Sequence, residues 1–131
     1  MAVSEADLKT QQYVSDGDNS ARQYHIMQLT NGVDQIGMAS LATWIGIVGV
    51  LLNRPAASGR TATVAYGGRG KVMLGGTISS AGAWLTTDGS GRAVLATSGQ
   101  VVIGTALETG AAAEIVSVQL TKPVRLFGLP A

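Results

Sequence analysis

His25 is the only histidine in the sequence, and there is no cysteine. A serine-type triad would have to use this one imidazole, and nothing exists to complete a zinc tetrahedron of imidazoles and thiolates. No G-x-S-x-G elbow occurs, and the 8 Asp and Glu residues are dispersed, with no pair standing out as an acid–base couple. Two stretches invite ligand readings. "DGDNS" at 16–20 has the acid spacing of a calcium loop. However, Ala21 stands where the sharp turn needs glycine, and Met27 stands where a glutamate closes the loop. "GGRGK" at 67–71 looks like the end of a phosphate loop, but Ala65 and Val72 occupy the positions that need Gly and Ser or Thr. It reads instead as a tight glycine-rich hairpin turn. His25 lies among strand-like residues and reads as a packed or edge histidine. The expectation is a chain with no catalytic residues, no metal and no cofactor, and so not an enzyme.

The elements that surround these residues read as β throughout. From Ile36 to Leu52, 17 residues carry no charge, which approaches the length of a membrane-spanning helix. Gly37, Gly46 and Gly49 interrupt the run, and Ile45, Ile47, Val48 and Val50 are β-branched. It divides at "ASLAT" into two pieces of strand length, so two buried strands are expected and a membrane span is not. "YHIMQLT" and "QIGMA" read as strands about an "NGVD" turn. "TATVAY" alternates ahead of "GGRG", and "KVMLGG" follows. In the last third, "AWLTT", "RAVLAT", "VVIGTALE" and "EIVSVQL" are separated by Gly, Asp and Ser turns, as in antiparallel sheet. In "EIVSVQL", Val116, Val118 and Leu120 share one face. The 18 glycines suit a small, tightly wound body. The fold class expected is all-β, a small antiparallel β-barrel or sandwich with Gly-rich turns and an extended N-terminal arm.

Residues 1–22 are polar and read as that arm, with a short helix over about 5–12 and a turn or flexible linker at "SDGDNSAR". Residues 23–120 form the β domain, and 121–131 an apolar tail that packs on this chain or the next. Charged residues make up only 13% of the chain and net charge is +1, with cations scattered singly. That argues against a nucleic-acid partner and for a surface partly covered by another protein. The N-terminus has no apolar stretch of the signal-peptide kind.

"GVLLNRPAASGRTATV" (49–64) resembles a segment of the capsid decoration, or head cement, proteins of tailed bacteriophages. The similarity continues through "GKVMLGGTISSAGAWLTTDGSGRAVLATSGQVVIGTALETGAAAEIVSVQL" (70–120) and covers about residues 24–120. Its weight lies in the joint order of several motifs, none of them catalytic. Arg54 departs from the pattern, standing before the proline where family members often carry an acid, and residues 121–131 have no counterpart.

The resemblance implies a homotrimer on the outer capsid surface of a virion, bound to the major capsid protein at three-fold or quasi-three-fold junctions. There it would stabilise the shell against the pressure of packaged DNA. Partner-binding candidates are Tyr13, Arg22 and Tyr24, by the enrichment of Tyr and Arg at hot spots. Arg54, Trp84 and Phe127 join them, whereas Trp44 is expected in the core. Deleting 1–22 is expected to abolish capsid binding and leave the body folded. The alternative is a carbohydrate- or host-surface-binding β module of the virion, with a groove lined by Trp84 and Tyr66.

Overall fold

The computed structural model describes residues 8–43 and 46–125, with the side chains of residues 124 and 125 excepted. Trp44 and Phe127 therefore lie outside the described residues. Every regular element described is a strand: β1 (Lys9–Ser15), β2 (Ile26–Leu29), β3 (Gln35–Met38), β4 (Ile47–Leu51), β5 (Thr61–Met73), β6 (Trp84–Thr87), β7 (Ala93–Leu95), β8 (Val101–Ala106) and β9 (Ile115–Arg125).

The first five close into a barrel in the order β1-β3-β2-β4-β5, because β5 pairs back onto β1. All of these pairings are antiparallel except β1–β3, which is parallel over Val14↔Gln35 and Ser15↔Ile36. The second half of β5 starts a second sheet, β5-β9-β8-β6-β7. A parallel bridge from Leu74 to Ala93 brings that sheet back to the chain just beyond β5. The all-β expectation holds, and its form is a closed five-stranded barrel carrying a second, nearly closed sheet.

The two sheets explain the most apolar stretch of the sequence. Strand alternation points one set of side chains into the barrel, where Met27, Ile36, Leu51, Ala62 and Val64 cluster. The other set faces the second sheet, where Ile26, Ile47, Val50 and Ala65 join Val72, Leu85, Ile103, Val116, Val118 and Leu120. β4 is apolar on both faces because both faces are buried. The uncharged run is thus divided between β3 and β4, and no helix among the described residues is long and apolar enough to cross a membrane.

Three expectations are corrected. The segment read as an arm with a helix over 5–12 supplies β1 from residue 9 onward, paired with β5 through residues 9–14. Thr10, Tyr13 and Val14 suit a strand, and the exposed edge of β5 provides the backbone partners that a helix would have to find within itself.

"GGRG" is no turn. It lies in the middle of β5, where the strand passes from β1 (Lys9↔Gly67) to β9 (Gly68↔Leu120). One strand serving two sheets must bend, and Gly68 does so at φ 83°, a value glycine reaches without steric cost.

The tail begins later than expected. Residues 121–125 continue β9, with Val102↔Val124 and Val101↔Arg125 paired to β8.

Candidate functional site

The end of β9 passes beside the barrel and leaves a cleft of about 500 Å³ at its mouth. The register places the lining. Tyr13 lies opposite Ala62 and Gln11 opposite Val64, on one face of β1. Tyr66 is the β5 residue left without a partner where the β1–β5 register shifts, between the pairs Thr10↔Ala65 and Lys9↔Gly67. Ile47 and Val48 of β4 also line the cleft, as do Lys122 and Pro123 of β9. Asp34, from the "NGVD" turn, completes the lining. It sits at φ 51°, a left-handed conformation that Asp tolerates better than most residues. Its carbonyl accepts the Val14 N–H at 2.8 Å, which ties the turn to β1.

Burial pushes the Tyr13 hydroxyl above the usual tyrosine value, and the nearby Asp34 and Tyr66 push it further. Tyr13 therefore stays a neutral O–H donor well into alkaline conditions. Gln12 accepts a 3.0 Å hydrogen bond from Thr63 Oγ1, which leaves its amide N–H groups for other partners. Within the described residues, the Asp34 carboxylate, the Gln11 amide and the hydroxyls of Tyr13 and Tyr66 make no hydrogen bond. Sequence reading singled out Tyr13 and Tyr66 but missed Asp34 and Gln11. The one available signal was the Gln-x-Tyr alternation at 11–13.

The other candidates lie elsewhere. Arg22 and Arg54 both hold the loop that follows β1. Arg22 Nη1 donates to Asn19 Oδ1 at 3.1 Å, and Arg54 Nε donates to the Ser20 carbonyl at 3.0 Å. Asn19 is 1% exposed and donates to Ser15 Oγ at 2.7 Å and Asp16 Oδ1 at 3.0 Å. Of the two readings of this stretch, turn or flexible linker, the structure gives the turn, in a hydrogen-bonded loop.

Within "DGDNS", the side chains bond to one another and to the nearby backbone. The Asp18 carboxylate accepts the Ser20 hydroxyl at 2.6 Å and the Ser20 N–H at 3.0 Å, which hold its pKa below the usual carboxylate value. Among the described residues, no group of three His, Cys, Asp or Glu could hold a metal.

Tyr24 packs against the main core, and its carbonyl accepts the Met73 N–H at 3.0 Å. Trp84 is 37% exposed at the start of β6. It is not among the residues that line the cleft with Tyr66. Leu95, Leu107 and Ile115 are also exposed, all on or beside strands of the same second sheet.

His25 is buried at the junction of barrel and second sheet. Its Nδ1 lies 3.3 Å from the Gln23 carbonyl. Burial lowers its pKa below the ordinary 6.5, and the positive charges of Arg92 and Arg22 lower it further. The Gln23 carbonyl and Asp88 oppose this without reversing it. The unfolded chain therefore binds more protons than the folded one between the lowered value and 6.5. Stability is full above 6.5 and falls as pH drops from there toward the folded pKa. Urea midpoints measured between neutral and mildly acidic pH should fall for the native chain and stay flatter for His25→Gln.

No protein-family model matches the chain, and neither does any curated protein sequence. Among solved structures, the chain is similar to the N base of the head fiber gp8.5 of bacteriophage phi29, with a TM-score of 0.65 and 19% identity. The match covers 90% of this chain and 98% of that one. At that identity the likeness is one of fold.

Proposed function

We propose that this chain is a structural protein of a phage head, bound to the outer surface of the capsid. The observation that carries the reading is the extent of the fold likeness, which takes in 90% of this chain, and so both of its sheets, and 98% of the head fiber base. The motif order that resembles decoration proteins points to the same class on separate grounds. In its finer form, the protein is a homotrimer seated on the major capsid protein at three-fold or quasi-three-fold junctions. It stabilises the shell mechanically. It performs no reaction, needs no cofactor, and has neither nucleic acid nor a membrane as partner.

Repetition strengthens such attachment, because a trimer that engages several shell sites gains from effective concentration. The second sheet offers the apolar anchors, with Trp84 as the aromatic among them. The test mixes the purified chain with heads that lack it. Co-sedimentation that saturates with the number of shell sites is expected, as is greater heat tolerance of the decorated heads. Trp84→Ala should weaken attachment by roughly tenfold, about 1.4 kcal/mol, with an unchanged melting curve. Failure to co-sediment at any concentration would overturn the reading. A monomer in solution would remove its trimeric form.

A further inference from the structure

We infer that the cleft at the barrel mouth is a binding site for a neutral saccharide, held by Gln11, Tyr13, Asp34 and Tyr66. The inference stands apart from capsid attachment and holds whether or not the chain rides on a head.

Three observations lead to it. The first is that polar groups converge on the cleft without protein partners: a carboxylate, a primary amide and two phenol hydroxyls. A carboxylate accepts, an amide both donates and accepts, and a phenol O–H donates. Sugar hydroxyls, each donor and acceptor at once, need that mixture. The second is charge. The lining holds one carboxylate, Asp34, and one ammonium, Lys122. Their formal charges cancel, so the cleft selects neither an anion, which would call for several cations, nor a cation. The third is shape and surface. About 500 Å³ falls within the range of small-molecule sites, roughly 300–1,000 Å³. The tyrosine rings, Val48 and Pro123 supply the apolar area against which the C–H faces of a pyranose pack.

The site is also held in place before any ligand arrives. Tyr13 is positioned by its pairing with Ala62, Tyr66 by the paired residues on either side of it, Ala65 and Gly67, and Asp34 by its carbonyl bond to Val14. Such pre-organisation lowers the entropic cost of binding.

The test titrates the isotopically labelled full-length chain with maltotriose, cellotriose and tri-N-acetylchitotriose to millimolar concentration. Chemical shifts are read by NMR. Saturable shifts confined to residues 11–13, 34, 48 and 66 are expected with at least one sugar. Asp34→Asn keeps a residue that tolerates the left-handed backbone, and Gln11→Ala alters an exposed side chain. Each should weaken binding at least about tenfold, with an unchanged melting temperature. The inference is overturned if no sugar produces saturable shifts, if the shifts fall elsewhere, or if both variants bind as the native chain does. It is equally overturned if an extended peptide saturates the cleft and none of the sugars does.

Discussion

A chain lacking residues 1–15 is expected not to fold. The truncation removes β1, which closes the barrel by pairing with β5 on one side and β3 on the other. Its loss uncovers Ile36, Ala62 and Val64, all fully buried in the intact chain. It also removes the donors that bond the Asp34 and Arg60 carbonyls, the Val14 and Ser15 N–H groups, each at 2.8 Å. Burying an aliphatic side chain contributes roughly 1.5–3 kcal/mol, and a domain's whole stability is about 5–15 kcal/mol. Exposing several such residues therefore exceeds the margin. The expected record is a urea curve without a cooperative transition, together with strong binding of a hydrophobic dye. A truncated chain that unfolds cooperatively near the native midpoint would show that residues 9–15 are dispensable to the body, as an arm would be. The result also bears on capsid attachment, since loss of binding after this deletion would report unfolding rather than loss of a contact.

Gly49→Ala should be the most costly single substitution of a small residue in the barrel. Gly49 lies in β4 opposite Met27, where the β2–β4 register shifts at a bulge. Its φ of 146° is one that residues with a side chain rarely adopt. A methyl group there would be driven into the Ala65 carbonyl oxygen of β5 and would meet Val64 Cγ1 at 2.9 Å. Both neighbours belong to the barrel wall, so the wall itself has to move. The expected cost is roughly 3–5 kcal/mol, with a fall in melting temperature of about 10 °C or more. Gly17→Ala is the control, because a methyl group there meets nothing within 4 Å. It should melt within a degree or two of the native chain. Equal melting of the two variants would mean that β4 and β5 do not approach as closely as described.

The β character of the chain and the strands of its last third were legible in the residues alone. β6, β7, β8 and β9 fall where apolar runs meet Asp-Gly, Ser-Gly and Thr-Gly turns, because turn chemistry is local and those residue types carry it. The burial of Val116, Val118 and Leu120 was legible for the same reason, since alternation is a property of neighbours along the chain. β1 was not legible. Lys9, Thr10, Gln11 and Gln12 are exposed and polar, and they form a strand because the edge of β5 lies beside them. Nor was the course of β5 through Gly67–Gly70, where glycine reads equally well as a turn or as a bend, and only the two sheets on either side of it decide between them.

The cleft belongs to the tertiary structure too. Gln11, Asp34, Tyr66 and Lys122 are scattered along the chain and come together only when β5 closes the barrel and β9 runs past its mouth. Periodicity and turn residues report the conformation of a few neighbours. Pairing partners, the facing of a second sheet and the meeting of distant side chains depend on which surfaces remain to be buried once the local choices have been made.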